Sequence, residues 1–281
     1  MTQSRRAAMK AIGVVGAGAA LPGTVLAVGE HEDDERHEKK KPVDDELGAV
    51  RVAHFSPDAP NVDVYVDDQQ VLSDVAYGDV SPYLEVAPGT YTVTITAAGD
   101  PETVALEEEV TVDAAYYTAA AIGELGGGDG DGDEYSDGKD EYSDDKPDHE
   151  PEDEPDGTFQ LLVLVDATPD DVEAGTAQVR VVHASPDAPA VDIVEAESGA
   201  AVFEDVAFSE PSGYVPVEPG PLTLEIYPAG ARDEPVAVLE LELEEGTPYT
   251  GYAIGYLEPE PEEEPFEVAV TIDGVDAPES S

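Results

Sequence analysis

The sequence predicts an all-β protein: two tandem antiparallel β-sandwich domains, immunoglobulin-like or transthyretin-like, with disordered acidic segments. Two observations carry this prediction, a long internal repeat and an alternation of apolar and polar residues with a period of two. A length of 281 residues accommodates two domains of ordinary size. No amphipathic helix pattern stands out beyond the N-terminal segment.

The internal repeat shows in matching residues. Residues 51–60 (RVAHFSPDAP) return as 180–189 (RVVHASPDAP), and 74–77 (DVAY) return as 205–208 (DVAF). Later matches pair Tyr83 with Tyr214, residues 88–89 (PG) with 219–220, and residues 117–118 (YT) with 249–250. A match of this length indicates a duplicated domain and is not explained by acidic composition.

Each copy carries the pattern of short, half-buried strands. Val62, Val64 and Val66 alternate with polar or amphipathic residues, as do the apolar positions of 90–95 and 222–226. The Pro-Gly pairs before the latter two segments are turn signals. Seven or eight such strands per copy predict an antiparallel sandwich. Copy two is expected to lose one strand-and-turn pattern near residues 195–202.

The predicted organisation follows composition along the chain. We assign 1–29 to a signal peptide, 30–48 to a charged flexible tether, 49–168 to the first sandwich, 169–177 to a linker, 178–275 to the second sandwich and 276–281 to a tail. Residues 126–157 are rich in Gly, Asp, Glu and Pro and predict a disordered insertion. Because 159–165 resembles 266–272, this insertion precedes the last strand of copy one.

The charge balance predicts a protein that works in high salt. The chain has 66 acidic and 12 basic residues, a formal net charge of −54, yet 41% of its residues are hydrophobic. Repulsion at this density destabilises a compact state in dilute buffer, and concentrated salt screens it. Outside the insertion at 126–157, the two repeats contain only three Lys or Arg residues, Arg51, Arg180 and Arg232. Nucleic-acid binding by the folded repeats is excluded because it requires clustered Lys and Arg, which they lack.

The N-terminus predicts export. Arg5 and Arg6 precede an apolar run at 11–26 and the small residue Ala27. This order is typical of a signal peptide, and the arginine pair is typical of twin-arginine export. We therefore expect a secreted or cell-surface protein that contacts a membrane only if the signal is retained as an anchor. The absence of cysteine excludes disulfides, thiolate metal sites and lipidation through Cys.

Residues 51–67 (RVAHFSPDAPNVDVYVD), followed by 71–99, resemble the family known as domain of unknown function 4397. The resemblance covers about 50–125, 158–168 and 178–273. It implies an exported protein with tandem copies and a β fold. The family brings no catalytic residues or activity to transfer.

The repeated turn motif is the candidate site of chemistry. It consists of two equivalent sets of residues, His54, Ser56 and Asp58 in copy one and His183, Ser185 and Asp187 in copy two. One interpretation is a Ser/His/Asp hydrolase, which needs a base within reach of the hydroxyl and an oxyanion hole. The other is a turn capped by Ser and Asp, which the prolines and the lack of Gly-rich backbone favour.

Metal binding is a second candidate. Asp129, Asp131 and Asp133 have the spacing of the start of a calcium loop, but Glu134 and Asp140 replace the expected Gly and Glu. A cation between His54 and Asp63, or between His183 and Asp192, is a further alternative. Neither pattern is specific, so the sequence predicts no cofactor and no defined metal site.

The functional hypothesis is a noncatalytic secreted or cell-surface module for adhesion, envelope assembly or partner binding. An unknown protein or glycan at the cell envelope is the expected partner. The alternatives are an exported hydrolase using the turn motif and a cation- or carbohydrate-binding accessory domain. The tyrosines of copy one favour structural roles over a sugar-binding platform.

Overall fold

The computed structural model describes residues 47–126 and 158–275, and within them the chain forms sixteen strands in two sandwiches. The predicted all-β tandem fold is confirmed. The predicted signal peptide (1–29), all but the last two residues of the tether (30–48), all but the first residue of the insertion (126–157) and the tail (276–281) lie outside the described residues. Over the described part of the chain, no helix has the length and apolar composition needed to span a bilayer.

The first sandwich consists of eight strands in two sheets. The strands are β1 (Gly48–His54), β2 (Val62–Val66), β3 (Gln69–Val75), β4 (Leu84–Val86), β5 (Gly89–Ala97), β6 (Asp100–Val112), β7 (Tyr116–Ile122) and β8 (Gln160–Asp166). One sheet has the order β4-β1-β7-β8 and the other β3-β2-β5-β6. Strand β8 pairs with β7, so the segment after residue 157 completes the first sandwich.

The second sandwich repeats this arrangement. Its strands are β9 (Ala177–His183), β10 (Val191–Glu195), β11 (Ala201–Val206), β12 (Val215–Val217), β13 (Gly220–Pro228), β14 (Ala237–Leu243), β15 (Pro248–Ile254) and β16 (Glu267–Ile272). The sheets are β12-β9-β15-β16 and β11-β10-β13-β14. The departure expected near 195–202 is confirmed for the turn, which is longer than in the first repeat, and is wrong for the strands, because β10 and β11 still pair.

One strand pair in each sandwich is parallel. Strand β1 lies parallel to β7, and β9 lies parallel to β15, whereas every other strand pairing is antiparallel. The prediction of a wholly antiparallel sandwich is therefore too strict. The physical reason is that a period of two defines the faces of a strand but not the direction of its neighbour.

The two central sheets are buried on both faces. On β7, Tyr117, Ala119 and Ala121 pack into the core of the first sandwich, whereas Ala120 and Ile122 pack against the second repeat. Strand β15 divides its side chains between two cores in the same way. The chain is thus a stack of four sheets with a third apolar layer between the repeats, and this layer positions the charged residues described below.

Candidate functional site

The turn motif of the first repeat is closed and buried. His54 ends β1 with no exposed surface, and its Nε2 donates to the carbonyl of Pro60 at 3.1 Å. Ser56 is also fully buried, and its hydroxyl donates to Asp58 Oδ1 at 3.1 Å. That oxygen also accepts the backbone N–H of Leu125 at 3.0 Å. Serine and aspartate therefore fasten the turn to the end of β7.

The second repeat closes its turn in the same manner. His183 Nε2 donates to Pro189 O at 3.0 Å, and His183 Nδ1 accepts the backbone N–H of Ser185 at 3.3 Å. The Ser185 hydroxyl donates to Gly255 O at 2.6 Å and lies 3.2 Å from Asp187 Oδ1. Two further backbone amides, of Leu257 and Glu258, donate to the Asp187 carboxylate at 2.8 and 2.9 Å.

In neither turn does the serine hydroxyl donate to a histidine nitrogen, as a Ser/His/Asp triad requires. In both turns the serine hydroxyl points to an aspartate or a carbonyl, and the histidine proton is already donated to a proline carbonyl. A nucleophile needs a base that accepts its proton and an open approach for the substrate. In each turn the serine and aspartate side chains are hydrogen-bonded to each other and the histidine is bonded to a proline carbonyl, contacts that cap the turn.

In both of the proposed cation-binding pairs, the aspartate carboxylate already accepts hydrogen bonds from backbone N–H groups. Asp63 accepts the backbone N–H groups of Asp74 and Gly99 at 2.9 and 3.0 Å. Asp192 makes the equivalent bonds to Asp205 and Gly230. Asp74 and Asp205 have φ values of 55° and 54°, so each buried carboxylate holds a left-handed residue in place. Among residues 47–126 and 158–275 no cluster suited to a metal occurs; Asp129, Asp131 and Asp133 lie outside them.

Burial of both histidines predicts an acid-sensitive fold. Desolvation lowers the pKa of His54 and of His183 below the ordinary value of 6.5, so the folded state resists protonation. The unfolded chain takes up those protons first, and the stability present above about pH 6.5 is lost as the pH falls below it. We expect urea midpoints in concentrated KCl to fall from about pH 7.5 to about pH 5.5. The variant His54→Gln/His183→Gln should flatten this slope; an unchanged slope contradicts the assignment.

The first half of a buried charge network joins the repeats at Asp166. Arg51 Nε donates to Thr118 Oγ1 at 2.8 Å, and that hydroxyl donates to Asp166 Oδ2 at 2.6 Å. Arg180, from the second repeat, donates through Nη2 to Asp166 Oδ1 at 2.6 Å. One carboxylate oxygen is thus bound within its own repeat and the other by the sister repeat.

The second half of the network repeats the first with the roles of the two repeats exchanged. Arg180 Nε donates to Thr250 Oγ1 at 3.0 Å, and that hydroxyl donates to Asp273 Oδ2 at 2.5 Å. Arg51 Nη2 donates to Asp273 Oδ1 and closes the circuit. The remaining nitrogens of the two guanidiniums reach across as well, to the carbonyls of Ile272 at 2.8 Å and Val165 at 2.9 Å.

We call the six connected side chains the Arg–Thr–Asp ring; they are Arg51, Thr118, Asp166, Arg180, Thr250 and Asp273. The guanidinium-bearing side chains are 5% exposed and the carboxylates 0%. Two positive and two negative charges cancel inside the ring. Burial opposes the charge of Arg51, but Tyr252, Asp273, Tyr83 and Asp166 together outweigh it and hold its pKa above the ordinary value. The ring therefore joins the repeats through two arginines and two aspartates whose formal charges balance.

Two tyrosines cover the ring from either side. The Arg51 guanidinium lies 4.8 Å from the Tyr83 ring centre, and the Tyr83 hydroxyl donates to Asp166 at 2.7 Å and accepts the Gly274 N–H at 3.2 Å. Tyr214 makes the same contacts with Arg180 at 4.5 Å, with Asp273 at 2.7 Å and with the N–H of Ala167 at 3.2 Å. Stacking and hydrogen bonding together orient each arginine.

An apolar patch extends the contact beyond the ring. Phe55 packs on Tyr252 with ring centroids 4.8 Å apart, and both side chains have no exposed surface. The buried members of this patch are Ala53, Phe55, Ala120, Ile122, Leu164, Val182, Ala184, Tyr252 and Ile254. The Tyr252 hydroxyl has no hydrogen-bond partner among the described residues, and burial raises its pKa.

The ring is the feature that sequence reasoning missed. Its arginines and threonines, and the two tyrosines that cover it, stand at matching positions in the repeat, so the signal was present. The strongest clue was that both repeats have an arginine at the same position of a strand. Lys and Arg are otherwise so rare that only one more occurs in 47–275 outside the insertion. The sequence did not indicate that the two faces meet.

A small apolar cavity lies inside the second sandwich. Its volume is about 30 Å³ and its lining includes Phe203, Leu224 and Tyr249. A cavity that binds benzene measures about 150 Å³, so this one has no room for an organic ligand.

Comparison with known proteins places the whole double sandwich in one group. A family model described as Domain of unknown function (DUF4397) matches residues 48–134, 151–194 and 177–280. The matched residues include both turn motifs and all six members of the ring. No curated protein matches the chain.

Proposed function

We propose that this chain, which belongs to the Domain of unknown function (DUF4397) family, is a noncatalytic scaffold that presents partner-binding surfaces at the cell envelope. The observation that carries the proposal is where its reactive side chains lie. His54, Ser56, His183 and Ser185 have no exposed surface and hold turns. The two buried arginines are engaged in joining the repeats.

Export by the twin-arginine route is part of the proposal. Arg5 and Arg6 with the apolar run at 11–26 support it, and they lie outside the described residues. This route carries proteins that fold before export, which suits a chain whose two sandwiches close on one another. The acidic exterior supports function in concentrated salt at a cell surface or in the surrounding medium.

Active-site labelling and envelope binding test this proposal. We expect no labelling of the mature protein by a fluorophosphonate probe in about 3 M KCl, a salt concentration at which surface charges are screened. The reason is that both serines have no exposed surface and neither hydroxyl donates to a histidine. We also expect saturable retention of the tagged protein on native envelopes, with crosslinking to a discrete protein or glycan.

The alternatives predict different results. Stoichiometric labelling that disappears in Ser56→Ala or Ser185→Ala would establish a hydrolase and overturn the proposal. Saturable calcium uptake by titration, or binding to defined sugars on a glycan array, would establish an accessory binding domain instead. As a control, an unrelated acidic protein of equal net charge is applied to the same envelopes. If it is retained equally well, the retention is nonspecific adhesion and does not support the proposal.

A further inference from the structure

The contacts between the repeats come in reciprocal pairs. Arg51 of the first repeat reaches Asp273 of the second, and Arg180 of the second reaches Asp166 of the first. Residues 51 and 180 occupy the same place in the repeat, as do residues 166 and 273. Such reciprocity defines an isologous interface, the kind that forms between two copies of one subunit.

The interface is complete without strand exchange. Within the described residues every strand pairing lies inside one repeat, so the two repeats meet face to face through side chains. The covalent connection between β8 and β9 is the segment 167–176. In extended form that segment spans about 33 Å, so it is long enough to let the faces part.

The linker is fastened to the second repeat and does not contribute to the ring. The backbone N–H of Gly246 donates to Thr176 O, and that of Gly175 donates to Glu245. Glu173 and Ala174 are exposed, and no described hydrogen bond joins the side chain of either residue to the first repeat. Within the described residues the faces are therefore joined by the ring with its covering tyrosines, by the apolar patch and by the hydrogen bond from the Tyr256 hydroxyl to Glu124 at 2.8 Å.

The apolar patch favours unlike repeats over like ones. Phe55 and Tyr252 are large and pack on each other, whereas their counterparts Ala184 and Ala120 are small. Pairing a first with a second repeat brings the aromatic side chains of Phe55 and Tyr252 to the same end of the interface, where they pack on each other. Pairing two like repeats would place an aromatic side chain against an alanine at both ends of the interface and lose the aromatic contact.

We propose that the face buried between the repeats is an association surface that holds them together without the covalent link and that accepts the complementary repeat of a second copy of this chain. In the intact chain the linker keeps the effective concentration of the sister repeat high, so internal pairing dominates. A second copy joins when the linker no longer ties the two faces, and two chains then exchange repeats through the same ring.

Cleavage of the folded protein tests this proposal. A protease recognition sequence inserted between Glu173 and Ala174 allows the intact, folded chain to be cut in concentrated KCl. We expect the two fragments to co-elute at about 1 µM, a concentration at which only complexes with Kd near or below that value persist. Mixing two cut preparations with different tags should give fragment pairs that carry both tags.

Matched variants assign the effect to the ring. Arg51→Ala in the cut protein should weaken fragment association by about a hundredfold or more, since it removes one partner of a buried charge pair. Arg232→Ala, whose side chain is 42% exposed, should leave it unchanged. Tyr83→Phe is a milder variant for the case in which Arg51→Ala does not fold, and should weaken association by about tenfold.

Three outcomes would overturn the proposal. Fragments that separate at about 1 µM show that the linker, and not the face, joins the repeats. Co-elution without mixed-tag pairs after prolonged mixing shows that the face does not accept a second copy. Equal effects of Arg51→Ala and Arg232→Ala show that the ring does not hold the fragments.

Discussion

Replacing Arg51 with alanine is expected to lower the free energy of unfolding by about 3–5 kcal/mol, a large share of the roughly 5–15 kcal/mol of a typical domain. The loss arises because the Asp273 carboxylate, with no exposed surface, would lose the guanidinium that compensates its charge. Thr118 and the Ile272 carbonyl would lose hydrogen bonds as well. Urea unfolding of the full chain in concentrated KCl measures the change.

The control is the third arginine of the repeats. Arg232 lies 3.5 Å from Glu204 and 3.8 Å from Asp192, and its side chain is 42% exposed. An exposed pair contributes about 0–1 kcal/mol, so Arg232→Ala should be nearly neutral. Both variants remove one positive charge, and a general effect of net charge would therefore affect them equally. Equal losses would rule out the ring as the cause.

A double-mutant cycle separates the pair from its surroundings. Asp273→Asn alone leaves the Arg51 and Arg180 guanidiniums buried with one compensating carboxylate between them. The variant Arg51→Ala/Asp273→Asn removes one charge of each sign and keeps the ring neutral. We expect its loss of stability to be smaller than the sum of the two single losses, because the residues contact each other.

Sequence patterns were sufficient for the two sandwiches and for most of their strands. Val62, Val64 and Val66 alternate as a strand with one buried face should, and the Pro-Gly pairs end turns where strands begin. The direction of β1 relative to β7 could not follow from such patterns, because alternation is the same in parallel and antiparallel pairs.

The layer between the repeats left a weaker trace in the sequence. Residues 118–122 (TAAAI) are small or apolar without alternation, and strands covered on both faces have that composition. The pairing of Arg51 with Asp273, 222 residues apart, was beyond reach. A chain with 66 acidic residues offers too many candidate partners, and only the docking of two faces selects one.

The turn motifs illustrate the opposite difficulty. His54, Ser56 and Asp58 are residue types that hydrolases use, and the sequence alone left both interpretations open. Three-dimensional information was needed to see that the Ser56 hydroxyl points to Asp58 and that His54 donates to Pro60. Spacing along a chain specifies neither the orientation of a hydroxyl nor the nitrogen that carries the proton.

Removal of salt is expected to unfold the protein. The formal net charge is −54, and the ring encloses two of the three arginines found in the described residues, so their charges do not offset the exterior. The Debye length grows from about 3 Å at 1 M salt to about 30 Å at 0.01 M, and repulsion between surface carboxylates grows with it. We expect circular dichroism to show a cooperative melt in about 3 M KCl and no cooperative transition after dialysis into dilute buffer.

Two comparisons identify screening as the cause of this salt requirement. Sucrose strengthens apolar burial without screening charge, so it should not restore the fold as KCl does. Replacing the exposed residues Glu107, Glu108 and Glu109 of β6 with glutamine should lower the KCl concentration at which folding is half complete. Surface carboxylates repel one another, whereas the unlike charges of the ring attract. The triple variant should therefore shift the KCl concentration at the folding midpoint, and the loss in free energy of unfolding caused by Arg51→Ala should stay the same. An unaltered cooperative melt in dilute buffer would show that carboxylate repulsion does not govern the stability of this fold.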